Sequence, residues 1–414
     1  MKKLSRRLDN TAKIFSVEEK NNINIFRLSV ILKEQIDPEI LKLSVIKTLN
    51  IYPSYKVRIK TSFFWNYLKV NLKDPIVEEE KYNHCEGLNF INNNDYLFKV
   101  TYLNNKINLD IFHILTDGIG ATILLKGILY NYLNLKYNLK TTNQDILKNI
   151  EFDQDQYLKN ADIKLVSKRK YKKAFLIKEK SNISNNKTYH YILNLKQIKN
   201  ISRKNNVSIT EYLTAIYIYS IYKTIYDKSS NKDIVITIPI DLRNHYNVQT
   251  FSNFFTCMDI QGNVLNNKNI SFNTILTQIH NEFKNKLTTV NIKKYLSRDV
   301  KLGTNIVINL VPLVIKKLLI KYLGKLVTSN STTTLSNIGQ IKLEEQYRKY
   351  VNNIMILVST GKIQKVKCTV CSYENNLTIT INSSLTSNNL EKEFYNLLKK
   401  YVGTVNIESN IIKN

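Results

Sequence analysis

Glycine and proline are scarce in this 414-residue chain, at 10 and 5, and it has only 4 cysteines and 1 tryptophan. Each shortage excludes something. No Gly-x-x-x-x-Gly-Lys-Ser/Thr loop is present to cradle a nucleotide phosphate, and no Gly-x-Ser-x-Gly elbow presents a nucleophilic serine. Asp117-Gly118-Ile119-Gly120 gives half of a dinucleotide fingerprint, but position 123 is Ile, so dinucleotide binding is set aside. Four cysteines, Cys85, Cys257, Cys368 and Cys371, are too few for a disulfide framework in a chain this long. Cys368-x-x-Cys371 lies in a strand-like stretch without a second ligand pair, and His-Glu-x-x-His is absent, so no metal site is expected. Carboxylates are also few, 33 against 61 Lys and Arg, which leaves a net charge of +28.

A long hydrophobic run is lacking as well. The most apolar stretch, Ile306 to Leu326, is interrupted by Asn309, Pro312, Lys316, Lys317, Lys321 and Lys325. It falls short of the ~20 residues that cross a bilayer. Lys317, Lys321 and Lys325 share one stripe, which favours an amphipathic helix packed on the domain, with peripheral membrane contact left open. The basic start Met1 to Arg7 is followed by polar sequence rather than an apolar core, so a cytoplasmic location is expected.

What is present is a globular composition, 43% hydrophobic with 26 tyrosines, and a length that suits two subdomains. The positive charge could serve nucleic acid, an anionic membrane or an anionic substrate, but the lysines are spread along a chain that is also rich in Asn, Ile and Tyr. The cluster Lys168 to Lys173 lacks stacking aromatics on any nucleic-acid-binding module, so no nucleic acid partner is expected.

Periodicity supplies the elements. Alternating apolar residues give strands over Leu97 to Leu103 and Ile107 to Phe112, and helical spacing follows from Ile119 to Leu135. Asp37-Pro38 opens a helix, as cap and first turn, that reaches about Asn50. Strands are expected at Ile23 to Leu32, Thr188 to Leu195, Asp233 to Pro239, Phe254 to Ile260, Asn353 to Val358 and Val366 to Tyr373, among others. Ser208 marks the start of a strongly apolar helix over Thr210 to Ile225. The pattern reads as an α/β layered fold in which a basic, weakly periodic stretch, 161–186, links a first subdomain, 1–160, to a second, 187–414.

One stretch carries chemistry. His113-Ile114-Leu115-Thr116-Asp117-Gly118 sits where a strand hands over to a helix, a place that can hold an imidazole at the edge of a cleft. Asp117 suits a helix cap and Gly118 a tight turn, although a strand-end His is often only structural.

This segment resembles the His-x-x-x-Asp-Gly motif of the CoA-dependent acyltransferase superfamily, which includes chloramphenicol acetyltransferase, alcohol acetyltransferases and condensation domains. Weaker similarities follow in the matching order: Arg7-Leu8-Asp9-Asn10, Val207-Ser208-Ile209-Thr210, Pro239 to Arg243 with Ser252 to Thr256, and Leu335-Ser336-Asn337-Ile338-Gly339. The resemblance implies two similar chloramphenicol-acetyltransferase-like subdomains, each a mixed sheet flanked by helices, around a tunnel. It implies His113 as general base, Asp117 and Arg243 as a structural ion pair beside Gly118, and Ser336 and Asn337 as substrate-binding residues. No bound cofactor is implied. Acyl-CoA would be the co-substrate and a small-molecule alcohol or amine the acceptor, with an acyl carrier protein as the other donor.

Two departures matter. Condensation domains carry a second His where this chain has Phe112, and the plant-type Asp-Phe-Gly-Trp-Gly motif is missing. Both favour a stand-alone O- or N-acyltransferase, similar to alcohol O-acetyltransferases. The alternatives are a non-catalytic or carrier-dependent relative, and a basic protein that binds anionic lipid or nucleic acid surfaces.

Overall fold

The computed structural model describes residues 5–16, 24–80, 92–140, 155–165, 173–265, 269–304 and 309–410. The first half runs β1 (Ser5–Arg7), α1 (Asn10–Phe15), β2 (Ile25–Leu32), α2 (Pro38–Ile51), β3 (Val57–Lys60), β4 (Tyr67–Val70), β5 (Val77–Glu79), β6 (Phe98–Leu103), β7 (Lys106–Phe112), α3 (Gly118–Tyr137) and α4 (Gln156–Asn160). The second runs β8 (Lys187–Asn194), α5 (Leu195–Lys204), α6 (Ile209–Thr224), β9 (Val235–Asp241), α7 (Arg243–Tyr246), β10 (Phe255–Gln261), α8 (Phe272–Lys286), α9 (Thr289–Thr304) and α10 (Leu313–Thr328). It continues with β11 (Thr333–Gln340), α11 (Glu345–Arg348), β12 (Val351–Val358), β13 (Val366–Tyr373), β14 (Asn376–Ser383), α12 (Asn389–Tyr401) and β15 (Asn406–Ser409).

Two mixed sheets organise these elements. Five strands in the order β12-β2-β7-β6-β5 form the first, seven in the order β10-β9-β11-β13-β14-β8-β15 form the second, and β1-β4-β3 make a small third sheet. Strand β2 sits between β12 and β7, and its side chains are buried on both faces rather than alternating, as in a sheet covered on both sides. Helix α2 begins as its sequence dictates, with the Asp37 side chain accepting from the Glu39 and Ile40 N–H groups and Pro38 in the first turn. At α6 the Ser208 hydroxyl and the Glu211 carboxylate cap the helix reciprocally.

The chain exchanges a strand between its halves. Although β12 lies far into the second half, it pairs with β2 of the first sheet, so a cut at residue 187 does not separate the sheets. Strand β13 then lies against it: the Cys371 thiol donates to the Ile354 carbonyl at 3.3 Å and the Thr369 hydroxyl to that of Ile356 at 2.6 Å. Cys371 is buried in the first hydrophobic core and Cys368 in the second, because residues three apart on a strand point to opposite faces. They cannot converge on one ion, and burial pushes the Cys371 thiol up to about 12. Phe175 and Ile177, from the expected linker, are buried in the second core, so the end of that segment is packed. Of its charged cluster, Lys168 to Lys173, positions 168–172 lie outside the described residues, as does Cys85.

Helix α9 had no counterpart among the expected elements. Its buried residues Ile292, Leu296 and Val300 recur every four positions and join Tyr157, Leu242 and Phe254 in a small third core. A buried ionic cluster braces the first sheet: Arg27 on β2 meets Asp110 on β7 through two bonds of 2.7 and 2.8 Å, and Glu80 at 2.6 Å. Replacing Arg27 with Met would leave two carboxylates buried without their guanidinium. A loss of about 3 to 5 kcal/mol in urea unfolding is expected, and a loss under about 1 kcal/mol would show that the cluster is not structural.

Candidate active site

The site is assembled where β7 ends. His113 follows the last residue of that strand, its N–H held by the Asn24 carbonyl at 2.9 Å, so the sheet fixes the backbone of the imidazole. Three aromatic rings, Phe15 of α1, Phe26 of β2 and Phe255 of β10, pack around it with centroids 4.8, 4.9 and 5.5 Å away. The side chain is half-buried. This desolvation holds the imidazole below its ordinary pKa of 6.5, and neither the charge of Asp117 nor the hydrogen bond with Asn253 outweighs it.

Asp117 caps α3 from the other end of the motif. Its Oδ1 accepts from the Gly120 N–H at 3.1 Å, and its Oδ2 from the Phe254 N–H at 2.9 Å. Arg243 completes the set with a bidentate pair, Nη1 to Oδ2 at 2.9 Å and Nη2 to Oδ1 at 3.0 Å. Burial alone would raise the Asp117 carboxyl, but the guanidinium and the two backbone donors hold it below the usual carboxylate range. Arg243 also donates to Asp241 and to the carbonyls of Thr250 and Ser252, which fixes the loop between α7 and β10. The acid thus locks a loop of the second half onto the motif of the first. Among the described residues it makes no hydrogen bond to His113.

Two further residues complete the site, Asn253 of that loop and Asp9 at the start of α1, neither of which the motif marks as a site residue. The Asn253 Nδ2 donates to the His113 carbonyl at 3.0 Å and to the Asp9 Oδ2 at 3.1 Å, so its amide orientation is fixed with Oδ1 as acceptor. Oδ1 lies 3.0 Å from the His113 Nδ1. A carbonyl oxygen can only accept, so Nδ1 carries the proton and Nε2 keeps its lone pair. Asp9 caps α1 through the Ala12 N–H at 2.7 Å, and burial pushes its carboxyl up to about 7. A lone Asn in a loop carries no periodic or charge signal, but its place in the Ser252 to Thr256 similarity was a usable clue.

The glycines of the motif answer to close approach. A Cβ on Gly118 would come within 3.0 Å of the Ile338 side chain, and one on Gly120 within 2.6 Å of the Phe251 carbonyl. Ile338 therefore places the end of β11 beside the motif. Ser336 shares the strand face of Ile338, two residues away, while Asn337 turns to the opposite side. There its Nδ2 donates to the Thr210 hydroxyl at 3.0 Å, and its Oδ1 accepts from the N–H of Gly339, whose φ is +77°. Among the described residues no group of His, Cys, Asp and Glu is arranged to hold a metal ion.

In sequence, neither a protein-family model nor a curated protein matches the chain. Solved structures do match over almost its full length. Polyketide synthase associated protein 5 from Mycobacterium tuberculosis aligns with 96% of this chain and 98% of its own at TM-score 0.63 and 11% identity. The TRI3 trichothecene 15-O-acetyltransferase from Fusarium sporotrichioides aligns over 96% and 94% at 0.64 and 9%. The chain has the CoA-dependent acyltransferase and condensation-domain fold. A starter condensation domain of rhizomide synthetase RzmA, solved in complex with C8-CoA, aligns over 98% of each chain at 0.62 and 10% identity. In this fold, two subdomains with mixed sheets flanked by helices meet where His113, Asp117, Asn253 and Arg243 converge.

Removing either member of the Asp117–Arg243 pair is expected to destabilise the protein by about 3 to 5 kcal/mol, since each leaves a buried charge behind. The Asp117→Ala, Arg243→Ala double variant should lose less than the sum of the singles in chemical denaturation. Strict additivity would show that the pair is not coupled.

Proposed function

We propose that this protein is an acyltransferase that moves an acyl group from a CoA thioester to a hydroxyl or amine acceptor, with His113 as general base. The observation that carries the reading is the tautomer set by Asn253: Nε2 is left with a lone pair at the end of a rigid strand, in surroundings that keep the ring neutral. The similarity in fold to an O-acetyltransferase and to a condensation domain holding C8-CoA supports the thioester donor.

In the proposed reaction, Nε2 takes the acceptor proton as the oxygen or nitrogen attacks the thioester carbonyl. The tetrahedral intermediate collapses with loss of the CoA thiolate, which receives that proton back from Nε2. Asn253 holds the ring during both transfers and accepts from Nδ1–H, which carries part of the positive charge of the imidazolium. Asp117 and Arg243 act through the loop rather than on the substrate. Ser336, on the strand face of Ile338, is the residue of β11 suited to contact substrate, and Asn337 holds the strand end through Thr210.

The direct test is thiol release and product mass from a panel of acyl-CoAs mixed with alcohols and amines. His113→Ala should lower turnover by about 10²-fold or more with the fold intact, and near-normal turnover would remove His113 from the mechanism. Asn253→Ala should lower kcat by roughly tenfold, the worth of one charge-assisted hydrogen bond, with KM little changed. Because the base must be neutral and burial lowers its pKa, the acid limb of kcat/KM should lie below pH 6.5. An acid limb above that value would contradict the assigned environment.

A donor bearing phosphates meets a chain of net charge +28, so ionic attraction should assist its binding. Raising salt from ~0.05 to ~0.5 M should increase the KM for acyl-CoA several-fold with little change in kcat. A salt-insensitive KM, or equal activity with acyl-pantetheine, would point to a carrier-protein donor instead.

A further inference from the structure

Helix α10 presents an apolar face to solvent. The sequence suggested a helix whose apolar stripe packs on the domain, yet Val314, Leu318 and Tyr322 are 74%, 68% and 66% exposed, and Ile315, Leu319 and Leu326 are also exposed. The reason is the way the helix is held. Its first turn is anchored by the Leu313 N–H on the Phe63 carbonyl at 2.8 Å and by Lys316, which is buried. The ammonium of Lys316 donates to the carbonyls of Phe64 and Asn309 at 2.9 and 3.1 Å and lies 3.9 Å from the centre of the Trp65 ring. With Leu313 and Lys316 inward, helical spacing of about 100° per residue turns Ile315, Leu318, Leu319, Tyr322 and Leu326 outward. Lys317, Lys321 and Lys325, four residues apart, then line one flank of that ridge.

We infer that α10 is a membrane-docking helix that lies on the surface of an anionic bilayer, its apolar ridge in the acyl boundary and its lysine flank on lipid phosphates. At 16 residues it is about 24 Å long and carries charge along its side, so it lies on a bilayer rather than crossing it. No helix among the described residues is long and apolar enough to span. The charge around it fits this occupant. From Thr289 to Thr328 the chain has one carboxylate, Asp299, which is tied to Arg298 at 2.8 Å and to the Thr256 hydroxyl at 2.6 Å. Exposed Phe63 and Leu310 lie at the anchored end and add apolar surface there.

Other occupants fit less well. A second copy docked through the same face would bring two lysine flanks together on molecules of net charge +28 each, whereas anionic lipid supplies the opposite charge. Nucleic acid would satisfy the lysines and leave the ridge in water. The docking helix also connects to the histidine through few contacts. The loop beneath it continues to Asn66, whose side chain donates to the Ser16 carbonyl at 2.9 Å, next to the Phe15 ring that packs on His113.

The test is flotation of the purified protein with vesicles of phosphatidylcholine alone or with about one-third phosphatidylglycerol. The wild type should float with the anionic vesicles, and part of that binding should survive ~0.5 M salt because the ridge is apolar. Leu318→Gln with Leu319→Gln and Tyr322→Gln should weaken it at least about tenfold, and Lys317→Gln with Lys321→Gln and Lys325→Gln several-fold. All six side chains are exposed, so melting curves should be unchanged. Should a triple variant not fold, Leu318→Gln alone serves, with a smaller loss in the same direction. Absence of flotation overturns the inference. So does wild-type binding by the apolar variant, which would assign attachment to net charge alone. A wild-type dimer that the apolar variant converts to monomer, without vesicle binding, would assign the face to a second copy.

Discussion

The bidentate contact of Arg243 with Asp117 is what the candidate site depends on. It joins the cap residue at the N-terminus of α3 to the first residue of α7, and it is buried, so its loss would leave an uncompensated charge where water does not reach. Around it the loop from Thr250 to Phe254 takes a single path. Phe251 enters the first core against Tyr52 and Tyr55, its carbonyl accepts from the Thr116 hydroxyl, and the Phe254 N–H donates to Asp117. The first half supplies the histidine and the second half supplies what orients it.

Orientation is where the chemistry is decided. An imidazole has two nitrogens, and an enzyme that uses one as a base has to fix the proton on the other. Here that task falls to Asn253, whose amide cannot flip without breaking its bonds to the His113 carbonyl and Asp9. Asp117, four residues from the histidine, has each oxygen engaged by Arg243 and a backbone N–H. The two acids near the site therefore play different parts: Asp117 holds the loop, and Asp9 holds the amide that holds the ring.

Much of this was legible in the sequence, for identifiable reasons. Strand β7 and helix α3 follow from apolar spacing, and α2 from Asp37 and Pro38, because local patterns carry local structure. The exchange of β12 into the first sheet was not legible, since a strand's pattern names its buried faces and not its partner. Helix α9 went unread although Ile292, Leu296 and Val300 are spaced at helical intervals, because lysines and polar residues separate them. Asn253 and Asp9 are single polar residues in loops, which only the tertiary structure brings to His113. Helix α10 was read correctly as amphipathic, but the buried Lys316 turns its apolar side outward, a reversal that no periodicity reveals.

The central claim is that Asn253 keeps the proton of His113 on Nδ1, and a long-range proton–nitrogen correlation spectrum of the imidazole at neutral pH tests it most directly. The account predicts a neutral ring whose Nδ1 bears hydrogen and whose Nε2 has the shift of an unprotonated nitrogen, with that preference lost in Asn253→Ala. A ring protonated on Nε2, or a charged imidazolium at that pH, would contradict it.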